Sequence, residues 1–342
     1  MKDRIVLAYA GGLPPAAAIP RLAEAHHAEV VTLTLDLGQG RDLEEIRDRA
    51  LATGAIRAHV LDVREEFAHD FVLPALQAGA LYEGRDPMAA ALGRPLIAKK
   101  LLEIAAIEQA AAVAHGCTGP DQERMDASTR ALNPGMRVIA AAGAAVPPPT
   151  AHANLWGRAY TIRNSQLPTP NSQLPTPNSQ PAVAAPGTAA YVEISFDRGV
   201  PAAINGVSMA LTELIESLSI IAGQHGVGRI TVTESDVGGP WWRHVYEAPA
   251  AVVLHAAHAA LEASLLPPYV TRLKRERATD YADLVWKGHW FTAAREAMDA
   301  LNADVANGVT GSVRIKLFEG ALLASDAAEL DAVLDDAAVP GA

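Results

Sequence analysis

Through residues 1–140, short β-rich apolar runs alternate with stretches whose apolar positions recur at helical spacing. Residues 4–8, 29–35, 57–61, 111–115 and 137–140 read as strands. Between them, residues 43–53 read as a helix with Leu43, Ile46, Ala50 and Leu51 on one face. A longer helix runs from Pro95 into residues 104–107, with Lys99 and Lys100 turned to solvent. This alternation predicts an α/β unit, a parallel sheet covered by helices.

Over residues 143–149 the pattern collapses into Ala, Val and Pro, with Gly143 at its start. The heptapeptide Asn-Ser-Gln-Leu-Pro-Thr-Pro then occupies residues 164–170 and repeats unchanged at 171–177, and Asn178-Ser179-Gln180-Pro181 begins a third copy. Two prolines per unit exclude a helix, and with it a coiled coil, so a solvated, partly polyproline-II linker is expected. After Pro186, runs at 191–196 and 202–205 flank Arg198-Gly199-Val200-Pro201 as an antiparallel hairpin. A helix at 211–222, a strand at 229–233, helices from Ala251 to Ala300 and a closing hairpin around Gly320 complete an α+β region. The expected organisation is residues 1–142, a linker at 143–188, and a second domain at 189–335.

Composition narrows the function classes. Of 342 residues, 39 acidic side chains against 28 basic ones give a net charge of −11, which disfavours nucleic-acid duplexes and anionic membranes as partners. Cys117 is the one cysteine, which excludes an internal disulfide framework and fits a reducing compartment. No apolar run reaches membrane-spanning length and the N-terminus carries charges in place of a signal-peptide core, so a cytoplasmic location is expected.

The chemistry concentrates at Ala8-Tyr9-Ala10-Gly11-Gly12-Leu13-Pro14-Pro15-Ala16. A strand, a glycine turn and a helix follow in the order by which a helix N-terminus meets an anion. Backbone N–H groups and hydroxyls make such a loop bind phosphate. Here Pro14 and Pro15 have no N–H, and Ala10 and Ala16 have no hydroxyl.

Several stretches together resemble the argininosuccinate synthase family. They include Asp36-Leu37-Gly38-Gln39-Gly40, Arg64-Glu65-Glu66-Phe67, Ala80-Leu81-Tyr82-Glu83-Gly84, Arg94-Pro95-Leu96-Ile97-Ala98-Lys99-Lys100 and Ala114-His115-Gly116-Cys117-Thr118-Gly119. Asn154-Leu155-Trp156-Gly157-Arg158, His225-Gly226-Val227-Gly228-Arg229, Val245-Tyr246-Glu247 and Leu254-His255-Ala256-Ala257-His258 continue in the family's order. The resemblance implies an N-terminal nucleotide domain of the pyrophosphatase-loop (adenine nucleotide α-hydrolase-like) type, a C-terminal α+β synthetase domain, and a tetramer. It also implies ATP and Mg²⁺ as cofactors and the ligation of citrulline with aspartate in arginine biosynthesis, through an adenylate formed as pyrophosphate leaves.

Carried over residue by residue, the family loop Ala-Tyr-Ser-Gly-Gly-Leu-Asp-Thr-Ser matches Ala8, Tyr9, Gly11, Gly12 and Leu13, while Ala10, Pro14, Pro15 and Ala16 replace its polar members. Each lost hydrogen bond to a charged partner is worth about 1.5–3 kcal/mol. Leu35 replaces the alanine that faces the nucleotide, and Gly116 completes the implied ATP set. The aspartate set is Thr118 and Asp121, in a turn two residues shorter than the family's. The citrulline set is Arg124, Glu234 and Tyr246, with Asp86 and Ala91 standing where the family has a tyrosine and a serine.

Three readings stay open: an argininosuccinate synthase, a non-catalytic paralogue that binds an active subunit or a small metabolite, and a related adenylating enzyme with a changed substrate. The site chemistry favours lost or severely impaired ligase activity, a pseudoenzyme. Homo-oligomers, or hetero-oligomers with an intact paralogue, are the expected assemblies. His255 and His258 have a metal-compatible spacing but read as packing residues, Cys117 reads as a buried thiol, and the basic run at 272–277 reads as a solvated helix face or subunit contact. Trp241 and Trp242 stand beside the implied citrulline site.

Overall fold

The computed structural model describes residues 3–11, 13–40, 42–141, 150–164, 187–235 and 241–325. The repeat at 165–180, the Ala/Val/Pro stretch at 143–149 and Gly12 lie outside the described residues.

The first sheet is assembled from β1 (Arg4–Ala8), α1 (Leu13–His26), β2 (Glu29–Asp36), α2 (Leu43–Ala52) and β3 (Arg57–Asp62). A continuous helical run follows, made of α3 (Arg64–Phe67), a π-helical segment (Ala68–Val72) and α4 (Leu73–Gln77). Then come α5 (Ala89–Ile107), β4 (Ala112–His115), α6 (Pro120–Leu132) and β5 (Arg137–Ala140). The five strands are parallel, in the order β3-β2-β1-β4-β5.

Alternation along β1 explains the layers. Ile5 and Leu7 pack with Ile19 and Leu22 of α1 and with Ile46 and Ala50 of α2. Val6 points the other way, into a cluster with Leu92, Leu96 and Leu101 of α5. The chain steps outward through β2 and β3 with α1 and α2 on one face, then returns through α5 on the other face to β4. Strand order therefore reverses between β1 and β4, where open α/β sheets form their ligand crevice.

Two antiparallel sheets follow. They are built from β6 (Thr150–Asn154), β7 (Gly157–Asn164), β8 (Ala190–Asp197), β9 (Val200–Ile204), β10 (Val207–Ser208), α7 (Leu211–Gln224), β11 (Arg229–Ser235) and β12 (Trp241–Glu247). α8 (Pro249–Leu265), α9 (Pro268–Trp286), α10 (Ala293–Ala306), β13 (Gly311–Phe318) and β14 (Ala321–Ser325) complete them. One sheet has the order β10-β9-β8-β13-β14 and the other β11-β12-β7-β6. Val192, Ile194, Phe196, Val313, Ile315 and Leu317 line the inner face of the first and share one hydrophobic cluster with Leu214 and Leu218 of α7 and Leu254 of α8.

The strands at 4–8 and 137–140 fall where the apolar pattern places them. Four expectations need correction. Residues 150–164, assigned to the linker, form β6 and β7, a local antiparallel hairpin whose β7 strand is completed by β12 more than seventy positions away. α5 starts at Ala89 and not at Pro95, since the Asp86 carboxylate accepts from the Met88 amide at 2.7 Å and orders the chain entering the helix. Lys99 and Lys100 do not simply face solvent: both ammonium groups reach Glu66 at 2.8 Å. On α2, Ile46 and Ala50 are buried while Leu51 is exposed, so the helix presents a narrower apolar stripe than the pattern implied.

Candidate active site at the strand-order reversal

Two loops meet at the reversal point, one after β1 and one after β4. In the first, the Tyr9 amide donates to the Leu33 carbonyl at 2.9 Å, and the Thr34 hydroxyl donates to the Tyr9 carbonyl at 2.9 Å. These bonds fix the chain as it leaves the sheet. Gly11 follows with φ +76, and a Cβ there would sit 2.5 Å from Ile46 Cγ1, so only glycine fits. The Arg49 guanidinium of α2 donates to the Gly11 carbonyl. The Tyr9 ring is buried, its hydroxyl has no partner among the described residues, and burial raises its pKa.

α1 begins immediately, and Pro14 and Pro15 lie in its first turn. The first turn of a helix carries the unpaired N–H groups that an anion would accept. Two of those groups do not exist here. At the second loop, Gly119 has φ 57 and ψ −139, Pro120 opens α6, and Asp121 and Glu123 place negative charge in its first turn. Carboxylates at that end occupy the favourable dipole position that a phosphate would need. The donor set does not fit a triphosphate. Among the described residues no group of three or more His, Cys, Asp or Glu is placed to hold a metal.

Beside this loop the chain builds a charged cluster. Arg94 of α5 donates to Asp121 Oδ2 at 2.7 Å, and Arg124 of α6 donates to Asp121 Oδ1 at 2.7 Å. Burial works against the Arg94 charge, and the Asp121 carboxylate more than offsets it, holding the guanidinium pKa above its usual value. Arg124 also donates to the Trp286 carbonyl at 2.6 Å and lies 4.2 Å over the Trp286 ring. Tyr82 stacks on the opposite side of that indole at 4.1 Å with an interplanar angle of 7°. Gly288, with φ +77, makes the approach feasible: a Cβ there would lie 2.7 Å from the Arg124 Cα. Burial raises the Asp86 carboxyl and the Cys117 thiol above their ordinary pKa values.

The implied site residues therefore divide. Asp121 and Arg124 are brought together, bonded to each other and joined by Arg94. Thr118 and Gly116 are exposed on the same loop. Ala8 ends β1, and Leu13 begins α1. Leu35 is buried in the cluster on the α5 face of the sheet. Glu234 lies on β11 opposite Trp242, four positions along β12 from Tyr246, which pairs with Ile230 and Ala159. The side chains of Glu234, Trp241 and Trp242 lie outside the described residues. Trp286 and the ion-pairing of Arg94 escaped the sequence reading, since the Arg124–Trp286 contact spans 162 positions. The tryptophan at the end of an otherwise polar helical pattern was the one available signal.

His255 and His258 are buried in α8, and burial lowers their pKa values to about 4 and about 3. Both rings pack against aromatic side chains, Trp156 and Phe196 respectively.

Comparisons with known proteins agree with this architecture. Residues 4–153 match the family model of the arginosuccinate synthase N-terminal HUP domain, and residues 151–336 match that of the arginosuccinate synthase C-terminal domain. The argininosuccinate synthase of Bacillus thuringiensis (strain Al Hakam) is 41% identical over 93% of this chain and 86% of its own length. That of Symbiobacterium thermophilum is 43% identical over 93% and 86%, and that of Dehalococcoides mccartyi 40% over 94% and 85%.

Proposed function

The chain belongs to the argininosuccinate synthase family, and from that premise we propose that it is a degenerate member in which ATP-dependent ligation of citrulline with aspartate is lost or severely impaired. One observation carries this reading: the first turn of α1, at the end of β1 where the nucleotide phosphates would lie, contains Pro14 and Pro15. Losing two charge-assisted hydrogen bonds costs about 3–6 kcal/mol, or roughly 10²- to 10⁴-fold in affinity. The missing hydroxyls at Ala10 and Ala16 add to that loss. The donor set at the two helix N-termini does not accommodate a Mg²⁺-bound triphosphate.

The assembled Arg94–Asp121–Arg124 cluster supports a companion reading, that the chain still binds a small amino-acid ligand there without adenylating it. Citrulline and aspartate are the ligands to try first. A cytoplasmic protein that associates with itself or with an intact paralogue fits this role. No helix among the described residues is long and apolar enough to cross a membrane.

The test is release of pyrophosphate from ATP–Mg²⁺ in the presence of citrulline and aspartate. Release at the level of the buffer control is the expected result. Stoichiometric formation of argininosuccinate over many turnovers overturns the proposal.

A further inference from the structure

The planar guanidinium of Arg124 is held along two edges and on one face. Its Nε donates to the Trp286 carbonyl at 2.6 Å and its Nη1 to Asp121 Oδ1 at 2.7 Å, while its Cζ lies 4.2 Å over the Trp286 ring. A guanidinium is a rigid fork, so anchoring two of its nitrogens fixes the direction of the third. That third nitrogen, Nη2, is buried and has no hydrogen-bond partner among the described residues. A buried donor on a charged group is costly to leave unmade, and beside a crevice it marks the place of an acceptor.

Trp286 supplies this hold from the C-terminal domain. It is the last residue of α9, where carbonyls lack intrahelical partners and the helix dipole favours a cation. The chain turns away at once, with the Gly288 N–H on the Val285 carbonyl and the His289 N–H on the Leu284 carbonyl, which leaves the Trp286 carbonyl to Arg124. On the far face of the indole, Tyr82 is fixed through its backbone, since Tyr82 and Asp86 exchange two hydrogen bonds of 2.8 and 3.0 Å. The indole is thus clamped on both faces. Arg94 and Arg124 against Asp121 leave one positive charge in excess, and the Asp86 carboxylate nearby accepts from Met88 and is offset in part by Arg85. An anionic acceptor suits Nη2.

We propose that Trp286 is a positioning residue: by stacking on Arg124 and accepting its Nε–H, it aims Nη2 at the α-carboxylate of a bound amino acid. This rests on the reading that the chain still binds a small amino-acid ligand beside Asp121. Trp286 acts through Arg124, so its removal should cost recognition of the carboxylate and not of the rest of the ligand.

Isothermal titration of the full chain with L-citrulline and with N-carbamoylputrescine, its analogue without the α-carboxylate, tests this in the native sequence, Trp286→Leu and Trp286→Tyr. Native binding should favour L-citrulline about tenfold or more. Trp286→Leu should weaken L-citrulline about five- to thirtyfold and leave N-carbamoylputrescine within about twofold. Trp286→Tyr, which keeps an aromatic face, should restore the preference, and Tyr82→Leu, which removes only the outer layer of the stack, should shift it in the same direction as Trp286→Leu. A structural role alone would weaken both ligands together, and that result overturns the inference, as does L-citrulline binding unchanged in Trp286→Leu. No binding of either ligand to the native chain overturns the amino-acid reading itself and the inference with it.

Discussion

The indole N–H of Trp156 donates to the Pro87 carbonyl at 3.0 Å, joining the β6–β7 turn to the segment that leads into α5. Neighbouring bonds reinforce the joint: the Asn154 amide donates to the Ala89 carbonyl at 2.6 Å, and the Leu155 N–H to the Leu37 carbonyl at 2.6 Å. The turn thus wedges between the loop after β2 and the start of α5. Two segments far apart in sequence are held in one geometry beside the reversal point.

Trp156→Phe removes this donor and leaves the Pro87 carbonyl buried without its partner. The expected loss of unfolding free energy is about 1–3 kcal/mol from the hydrogen bond, plus a cavity contribution. Denaturant titration measures it, and a loss below about 0.5 kcal/mol would show the bond to be dispensable.

Arg124→Lys keeps a positive charge but not the guanidinium plane that lies over Trp286 or the fork that reaches Asp121 and the Trp286 carbonyl. A cost of about 1.5–3 kcal/mol is expected in the same titration. Tryptophan fluorescence should change with it, because the Tyr82–Trp286–Arg124 stack loses one layer.

The buried histidines give the fold an acid-sensitive side. His255 and His258 have folded pKa values of about 4 and about 3, lowered by burial and, for His258, also by Lys274 and by His255. The unfolded chain takes up these protons near pH 6.5, before the folded chain does. Their contribution to stability is therefore present above pH 6.5 and declines as pH falls from there toward about 3. Thermal melts across that window should show the decline, and the double variant His255→Gln, His258→Gln should flatten it. A variant whose melting temperature keeps the native pH slope would remove the histidines from this role. Glu262, whose carboxyl burial raises and the Lys274 ammonium pulls back down, contributes its own response at lower pH.

Much of this was legible from the chain itself. The parallel-sheet strands declare themselves because each is a short apolar run bounded by helical periodicity, as at Ile5-Val6-Leu7. The β8–β9 hairpin is visible through Arg198-Gly199, which takes positive φ at both positions. What stayed hidden lies next to the proline repeat or depends on distant partners, as β7 does on β12. β6, β7 and β12 hold one another in register, and the polar and aromatic residues in them carry no local strand signal strong enough to outweigh the adjoining proline repeat. The lost phosphate donors were plain in the sequence, because the absence of an N–H at Pro14 and Pro15 is a covalent fact. The Trp286 support of Arg124 was not, since it arises only when the end of α9 reaches α6.

Restoring the loop alone should not restore chemistry. In the quadruple variant Ala10→Ser, Pro14→Asp, Pro15→Thr, Ala16→Ser, pyrophosphate release is expected to stay at background, because α6 still begins with Pro120 and places Asp121 and Glu123 in its first turn. Recovery of turnover would mean that the β1–α1 loop is the sole defect.

The most direct measurement is isothermal titration of the purified full chain with ATP–Mg²⁺. With prolines in place of phosphate donors in the first turns of α1 and α6, no saturable heat is expected up to about millimolar nucleotide. Saturable one-to-one binding at micromolar nucleotide, abolished when ATP is replaced by adenosine, would contradict it.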